Sequence, residues 1–406
     1  MHDPATTSKA WLSRVAQVGR SNRLLLSFSR FLCLWWWILT AFCAPSVASP
    51  SDMPPIKARI FISGHSLTDR PLPDHLEKIA ESLGTPILWN RQYVVGSSIR
   101  RRVQGDNPHS TAFEGYRQGY NRDTEGLDVI AEFRSPRTTD GQPYDTLLIT
   151  EQHGLLGTLI WNDTVRYLRH YHDRFIDGNP EGQTFFYEPW ISVDDKNAPW
   201  RWIAYERAAS PIWHCIAERV NLSLAAEGRR DRITPLPMGL ALAQLIEDSL
   251  SPSGPSALKA GSTLETVSQF IGDDVHLGPL GMYYAALVTY SARFKRSPIG
   301  AWAPKDLRPE QARTLQDHAW AFVSRYYRDL RPRTMEECRD LIRDDFAWRY
   351  WSYIRDTYWR RETNVFVAYA KWIRHYIQWR YMLSRQAPGN PFHYDAAQDA
   401  NYWLSQ

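Results

Sequence analysis

Lys57-Ala58-Arg59-Ile60-Phe61-Ile62-Ser63-Gly64-His65-Ser66-Leu67-Thr68-Asp69 decides how the chain is read. It opens as a short β-rich apolar run and stops at a glycine. A Gly just before Ser lets the backbone turn sharply and lifts the hydroxyl above the strand end. Beyond the turn, Asp74 can cap a helix in which Leu76, Ile79, Ala80 and Leu83 share one face, and Gly84 stops it. Strand and helix then alternate. Strands are expected in 86–95, 145–150, 184–188 and 232–236, and helices around 162–175, 202–226, 238–250 and 279–294. Asp145–Thr150 is a continuous apolar run, as a strand buried on both faces requires. This alternation predicts a parallel sheet with helices on both faces, with functional residues at the carboxyl ends of the strands.

The chemistry then has a short list of positions. Ser66 follows the first strand, but a serine is a weak nucleophile until a base takes its proton. The candidate base is far downstream, in Asp273-Asp274-Val275-His276-Leu277-Gly278, just before the last helix of the alternating region. A spacing of three lets Asp273 turn back onto His276, fix its tautomer and stabilise the imidazolium. Asp274 is the alternative orienter. His65 reads as a residue that shapes the turn.

The order of a strand-end Ser and a late Asp-x-x-His resembles the SGNH (GDSL-type) hydrolase superfamily. Gly64-His65-Ser66-Leu67 is similar to its first block, with His65 where Asp is usual. Asp273-Asp274-Val275-His276 is similar to its last. The resemblance covers about residues 56–298. It implies a three-layer α/β/α sandwich with a five-stranded parallel sheet, and catalysis by Ser66, His276 and Asp273. It also places Gly96, after the second strand, in the oxyanion hole beside the backbone N–H of Ser66. The third block departs. Where Gly-x-Asn-Asp is usual, the chain has Thr150-Glu151-Gln152-His153-Gly154. Gln152 carries the same amide on one more methylene and is the preferred oxyanion donor. Asn162, of the pair Asn162-Asp163, is the alternative, although helix capping explains it better.

Other classes fit less well. A metal hydrolase built on His65, Asp69, His153 and His276 lacks the ligand spacing of known sites, and no metal or cofactor is expected. No Gly-x-Gly-x-x-Gly follows the first strand, so a Rossmann cofactor site is excluded. The net charge of +4 suggests a nucleic-acid partner at first sight. All of it falls in residues 1–48, where Lys9, Arg14, Arg20, Arg23 and Arg30 face Asp3 alone. The rest is formally neutral, and no nucleic-acid partner is expected.

Residues 1–48 read as an export leader. The basic residues end at Arg30, an uncharged run of about 14 residues follows, and Ser46-Val47-Ala48 supplies small residues for cleavage. An uncleaved membrane anchor is the alternative. Export permits a disulfide between Cys215 and Cys338, the two cysteines beyond the leader, without any spacing argument for it.

The long segment 97–143 between the second and third strands is expected to rim the active site. Its Arg100-Arg101-Arg102 run reads as a solvated loop or an anion-binding rim. Trp190, Trp200 and Trp202 follow the fourth strand, and Trp190 and Trp200 are candidates to stack on sugar rings. Residues 300–406 read as a helical extension packed on the hydrolase domain. Ile342, Phe346, Tyr350, Ile354 and Tyr358 recur every four residues, and Val365–Leu383 carries a second aromatic stripe. The expected activity is that of an exported serine esterase acting on an acylated carbohydrate or small ester. An acyltransferase on the same triad and a non-catalytic glycan-binding protein are the alternatives.

Overall fold

A computed structural model describes residues 56–106, 113–136 and 139–404. The leader, with its cleavage-site and anchor readings, lies outside the described residues. The chain is an α/β protein built on one seven-stranded mixed sheet. Its strands are β1 Ala58–Gly64, β2 Ile87–Tyr93, β3 Gly119–Tyr120, β4 Gly126–Leu127, β5 Thr146–Thr150, β6 Gln183–Tyr187 and β7 Ile233–Leu236, in the order β4-β3-β2-β1-β5-β6-β7. The run β2-β1-β5-β6-β7 is parallel, and β3 and β4 add antiparallel at the β2 edge.

The expected sheet of five parallel strands is thus corrected to seven in mixed orientation. The extra pair comes from the long connection after β2. Asn121 closes a tight turn there, with its N–H on Glu125 O (2.9 Å) and its side-chain oxygen accepting the Glu125 N–H (2.8 Å). Two two-residue strands have no alternation to read, so periodicity could not reveal them.

β1 pairs with β2 on one side and β5 on the other. The chain goes from β1 to β2 through helix Leu72–Ser82, then crosses to β5 on the opposite side. The direction of winding therefore reverses beside β1, and in open α/β sheets such a reversal leaves a crevice outside the strand ends. Ser66 stands there, two residues beyond β1. Every residue of β5 is buried, in keeping with its apolar run. Helix Leu72–Ser82 packs on helix Pro279–Phe294, and helix Thr164–Gly178 on helix Trp200–Ala226. Pro211 sits inside that last helix without breaking it.

The segments after residue 300 form helices Pro309–Asp329, Met335–Leu341, Ala347–Ile354, Arg360–Glu362 and Val365–Ser384. Leu315, Phe322, Ile342, Phe346, Tyr350 and Trp351 belong to the same buried core as the sheet. A disulfide joins Cys215 to Cys338. The four-residue repeat has a structural counterpart. Wide π-helical turns at Ile342–Phe346 and Arg355–Trp359 interrupt the α-helix. A repeat of four drifts about 40° per step on an α-helix of 3.6 residues per turn. The wide turns hold more residues per turn and bring the stripe back in phase.

Candidate functional site

The turn after β1 is built around Gly64. A Cβ there would collide with the Thr68 hydroxyl and lie 3.2 Å from Thr150 Cγ2, so only glycine fits. The Thr68 N–H donates to His65 O at 2.9 Å and closes the turn under Ser66. His65 is buried, and its Nε2 donates to Glu151 O at 2.9 Å. Burial first, then the nearby Arg102 charge, lowers its pKa to about 3. A neutral His65 therefore bolts the serine turn to the end of β5.

The partner loop is preformed. Asp273 Oδ1 accepts the backbone N–H groups of Val275 (2.7 Å) and His276 (2.6 Å), while Oδ2 lies 2.7 Å from His276 Nδ1. Desolvation opposes ionisation of Asp273, but the His276 ring and these N–H groups outweigh it and lower its pKa to about 2. An ionised Asp273 needs a proton on Nδ1, so Nε2 of a neutral His276 is left as a base. Asp274 faces away. Its carboxylate is 3.7 Å from Arg361, and its carbonyl accepts the Val193 N–H at 2.7 Å. Burial, with the His276 ring a smaller contributor, depresses the pKa of both His65 and His153. Val193 stands in the segment that follows β6, so the Asp-His loop is tied to the carboxyl-end side of the sheet. The structure does not join Ser66 Oγ to His276 by a hydrogen bond. In ligand-free enzymes this contact is often long and tightens on substrate.

The three candidate oxyanion donors each follow a parallel strand, Ser66 after β1, Gly96 after β2 and Gln152 after β5. Gly96 follows β2 with φ +59°, a conformation glycine adopts freely, and open space lies beside its Cα. Among the described residues, neither its N–H nor that of Ser66 is used in a backbone hydrogen bond. The Gln152 backbone N–H is held by Glu151 Oε1 at 2.7 Å, and its side-chain amide has no hydrogen-bond partner among the described residues. Asn162 is at the far end of helix Leu155–Trp161, about 10 Å of helical rise beyond Gln152.

Trp190 requires a correction. It is fully buried, so it has no face to offer a sugar. Its indole N–H donates to Val275 O at 2.7 Å, which makes it a holder of the His276 loop. Trp200 is 53% exposed at the start of its helix, and Trp202 is buried with its N–H on Ile191 O. Asp69 is paired with Arg91. No group of His, Cys, Asp or Glu among the described residues has an arrangement that could hold a metal ion.

Two supporting residues escaped the sequence reading. Arg102 does not line a solvated rim, because it is wholly buried on helix Ile99–Gln104. It donates to Ser63 Oγ (2.9 Å), Ser97 O (3.0 Å) and Thr150 O. Burial lowers its pKa to about 10, still leaving it charged at neutral pH. Glu151 is buried beneath it and accepts the Ile99 N–H (3.1 Å), the Gln152 N–H and the Thr164 hydroxyl (2.9 Å). An acid directly after a wholly apolar strand was the signal for Glu151. Arg102 gave none, since it stands in a run of three arginines.

No protein-family model matches the chain, and no curated protein matches it. Among solved structures it is similar to a DUF4886 family protein from Bacteroides uniformis, at 15% identity and a TM-score of 0.46, covering 68% of this chain and 97% of that one.

Behind the site lies a buried acid pair. Glu188 directly follows β6 and is wholly buried, with the Ser210 hydroxyl beside its carboxyl group. Glu206 Oε1 accepts the Ile191 N–H at 2.8 Å. Burial raises the Glu188 pKa to about 8. Folded Glu188 thus keeps a proton that the unfolded chain releases near its ordinary pKa of about 4.3. Linkage makes the sign definite: the Glu188 contribution to stability falls as pH rises from about 4 to about 8 and levels off above, and Glu206, also raised by burial, adds to the fall. The melting temperature should drop across that window. Glu188→Gln should flatten the drop and stabilise the protein at pH 8, by about 3–5 kcal/mol at full effect. An unchanged slope in the variant would refute this assignment.

Proposed function

We propose that the protein is a serine esterase with Ser66 as nucleophile, His276 as general base and Asp273 as orienter. Ser66 would attack the ester carbonyl as His276 Nε2 takes its proton. The same imidazolium then protonates the leaving alcohol, and water resolves the acyl-enzyme. Gly96, Gln152 and the Ser66 N–H would hold the oxyanion. The single observation that carries this reading is the 2.7 Å Asp273–His276 bond, in a loop held by the segment that follows β6. The parallel run β2-β1-β5-β6-β7, with helices around it, supports an SGNH-type sandwich as the finer description of the fold. Export is supported by the Cys215–Cys338 disulfide, which belongs to an oxidising compartment.

The openness of the site bears on the substrate. The His276 side chain is 50% exposed, and Gly96 is also exposed. That favours an acyl group carried on a carbohydrate or other bulky alcohol, lying across the surface, over a fatty chain in a tunnel. An organophosphonate probe should modify Ser66, and Ser66→Ala should abolish labelling in a protein of unchanged melting temperature. Labelling at another residue, or none on the folded protein, would favour a non-catalytic binding protein.

A further inference from the structure

Helix Val365–Ser384 is apolar on two opposite faces. Asn364 caps it, its side-chain oxygen accepting the Val367 N–H at 3.0 Å. The inner face buries Ala368, Trp379 and Leu383, with Trp372 and Tyr376 packed beside them. The outer face carries Phe366, Tyr369, Ile373, Ile377 and Tyr381, exposed by 85%, 41%, 50%, 61% and 61%. Their steps of three and four residues put them on one ridge, about 22 Å long. Singly exposed apolar residues are ordinary on protein surfaces, whereas a contiguous ridge marks an interaction surface.

The charge beside the ridge selects its occupant. Residues 365–385 hold Lys371, Arg374, Arg380 and Arg385 and no Asp or Glu. Arg374 borders the ridge, and Lys371 lies on the flank toward the core with its Nζ 5.9 Å from the Trp359 ring; neither has an acidic partner among the described residues, and Arg385 donates to the Tyr381 hydroxyl at 2.7 Å. The nearest acids belong to the preceding helical segment. There Asp344 is bound to Arg343, Asp345 to Arg349, and Asp356 to Arg355 and Arg201, while Glu362 precedes the Asn364 cap at the end of the helix away from Arg380 and Arg385. A second copy related by a two-fold axis would present the same surface, setting basic flank near basic flank. An anionic lipid surface complements both features: acyl chains take the ridge and headgroups take the cations, with tyrosine hydroxyls at the boundary. None of the described helices is long and apolar enough to cross a membrane, so this one would lie along the surface.

We propose that helix Val365–Ser384 is a membrane-surface docking element, binding anionic phospholipid through the Phe366–Tyr381 ridge and its flanking Lys371 and Arg374. The test is co-sedimentation of the full chain with vesicles of phosphatidylcholine alone, or mixed with phosphatidylglycerol at about 3:1. The wild type should pellet with the mixed vesicles and less so in high salt. The double variant Ile373→Asp/Ile377→Asp should partition at least about tenfold more weakly. Lys371→Gln/Arg374→Gln should lose about fivefold for each charge removed. The Ile373, Ile377 and Arg374 side chains are exposed and Lys371 is half-buried, and an unchanged melting temperature checks the fold. The leader is common to every variant, so the difference between variants reports the helix. Equal pelleting of the aspartate variant and the wild type would overturn the proposal, as would no pelleting of either. A wild-type dimer that the aspartate variant converts to monomer, without vesicle binding, would overturn it in favour of self-association.

Discussion

His276→Ala should lower ester turnover by on the order of 10³-fold or more while leaving the melting temperature nearly unchanged. The ring is half exposed, so its loss opens no cavity, and the Asp273 bonds to the Val275 and His276 N–H groups remain. Asp273→Asn separates orientation from mere presence. Oδ1 can still accept the two backbone N–H groups, so the loop keeps its shape. An amide NH2 would then face Nδ1 and require it to accept. The imidazole proton would move to Nε2, where it blocks proton transfer from Ser66. The expected loss is on the order of 10⁴-fold. Asp274→Asn should be nearly silent, because that carboxylate faces Arg361. A damaged Asp274 variant beside an active Asp273 variant would reverse the assignment. Acid should leave the orienter intact over the working range. With its folded pKa lowered to about 2, Asp273 contributes its bonds fully above its unfolded value of about 3.9, and loses them only as pH falls through about 2.

Truncation after residue 299 should yield no soluble enzyme. Leu315, Phe322, Ile342, Phe346, Tyr350 and Trp351 are all buried in the core shared with the sheet. Burial of each large side chain contributes about 1.5–3 kcal/mol, and a whole domain is stable by only about 5–15 kcal/mol. Polar ties are lost as well. The Tyr350 hydroxyl accepts the Gly157 N–H at 3.2 Å, and the Tyr353 hydroxyl donates to Ser192 O at 2.7 Å. The second tie reaches the site, since Val193 and Trp190 hold the loop that carries Asp273 and His276. An expression trial decides the matter. A soluble truncation active on small esters would make the helical part an independent accessory.

What could be read from the sequence was whatever a local pattern encodes. β1, β2, β5, β6 and β7 are apolar runs bounded by turn residues, and each was visible within a few positions. The Asp273–His276 pair was visible because a spacing of three in a short loop constrains geometry by itself. Arg102 was not, because its burial depends on acceptors from Ser63, Ser97 and Thr150, two of them on other strands. Trp190 and Trp200 belong to the same residue type in the same loop region. Only the path of the chain decides that one is sealed under Val275 and the other stands in solvent. The disulfide had no spacing signal, since Cys215 and Cys338 lie 123 residues apart.

The two wide turns in the 342–359 segment have a consequence for how this chain can change length. Each accommodates more residues than an α-helical turn, in the manner of a residue added to a helix and absorbed in place. Removing one residue from either turn would restore regular α-helical winding there and leave the segments beyond it close to their present orientation. Tyr353, which reaches Ser192, lies beyond the first turn, and the exposed Phe366–Tyr381 ridge lies beyond both. A single-codon deletion within either wide turn can therefore be absorbed in place, whereas one in helix Ala347–Ile354 between them would rotate everything beyond it by about 100° and turn the inner stripe away from the core. Among lineages carrying this architecture, length changes between Cys338 and Asn364 should therefore fall in the two wide turns and not in the α-helix between them.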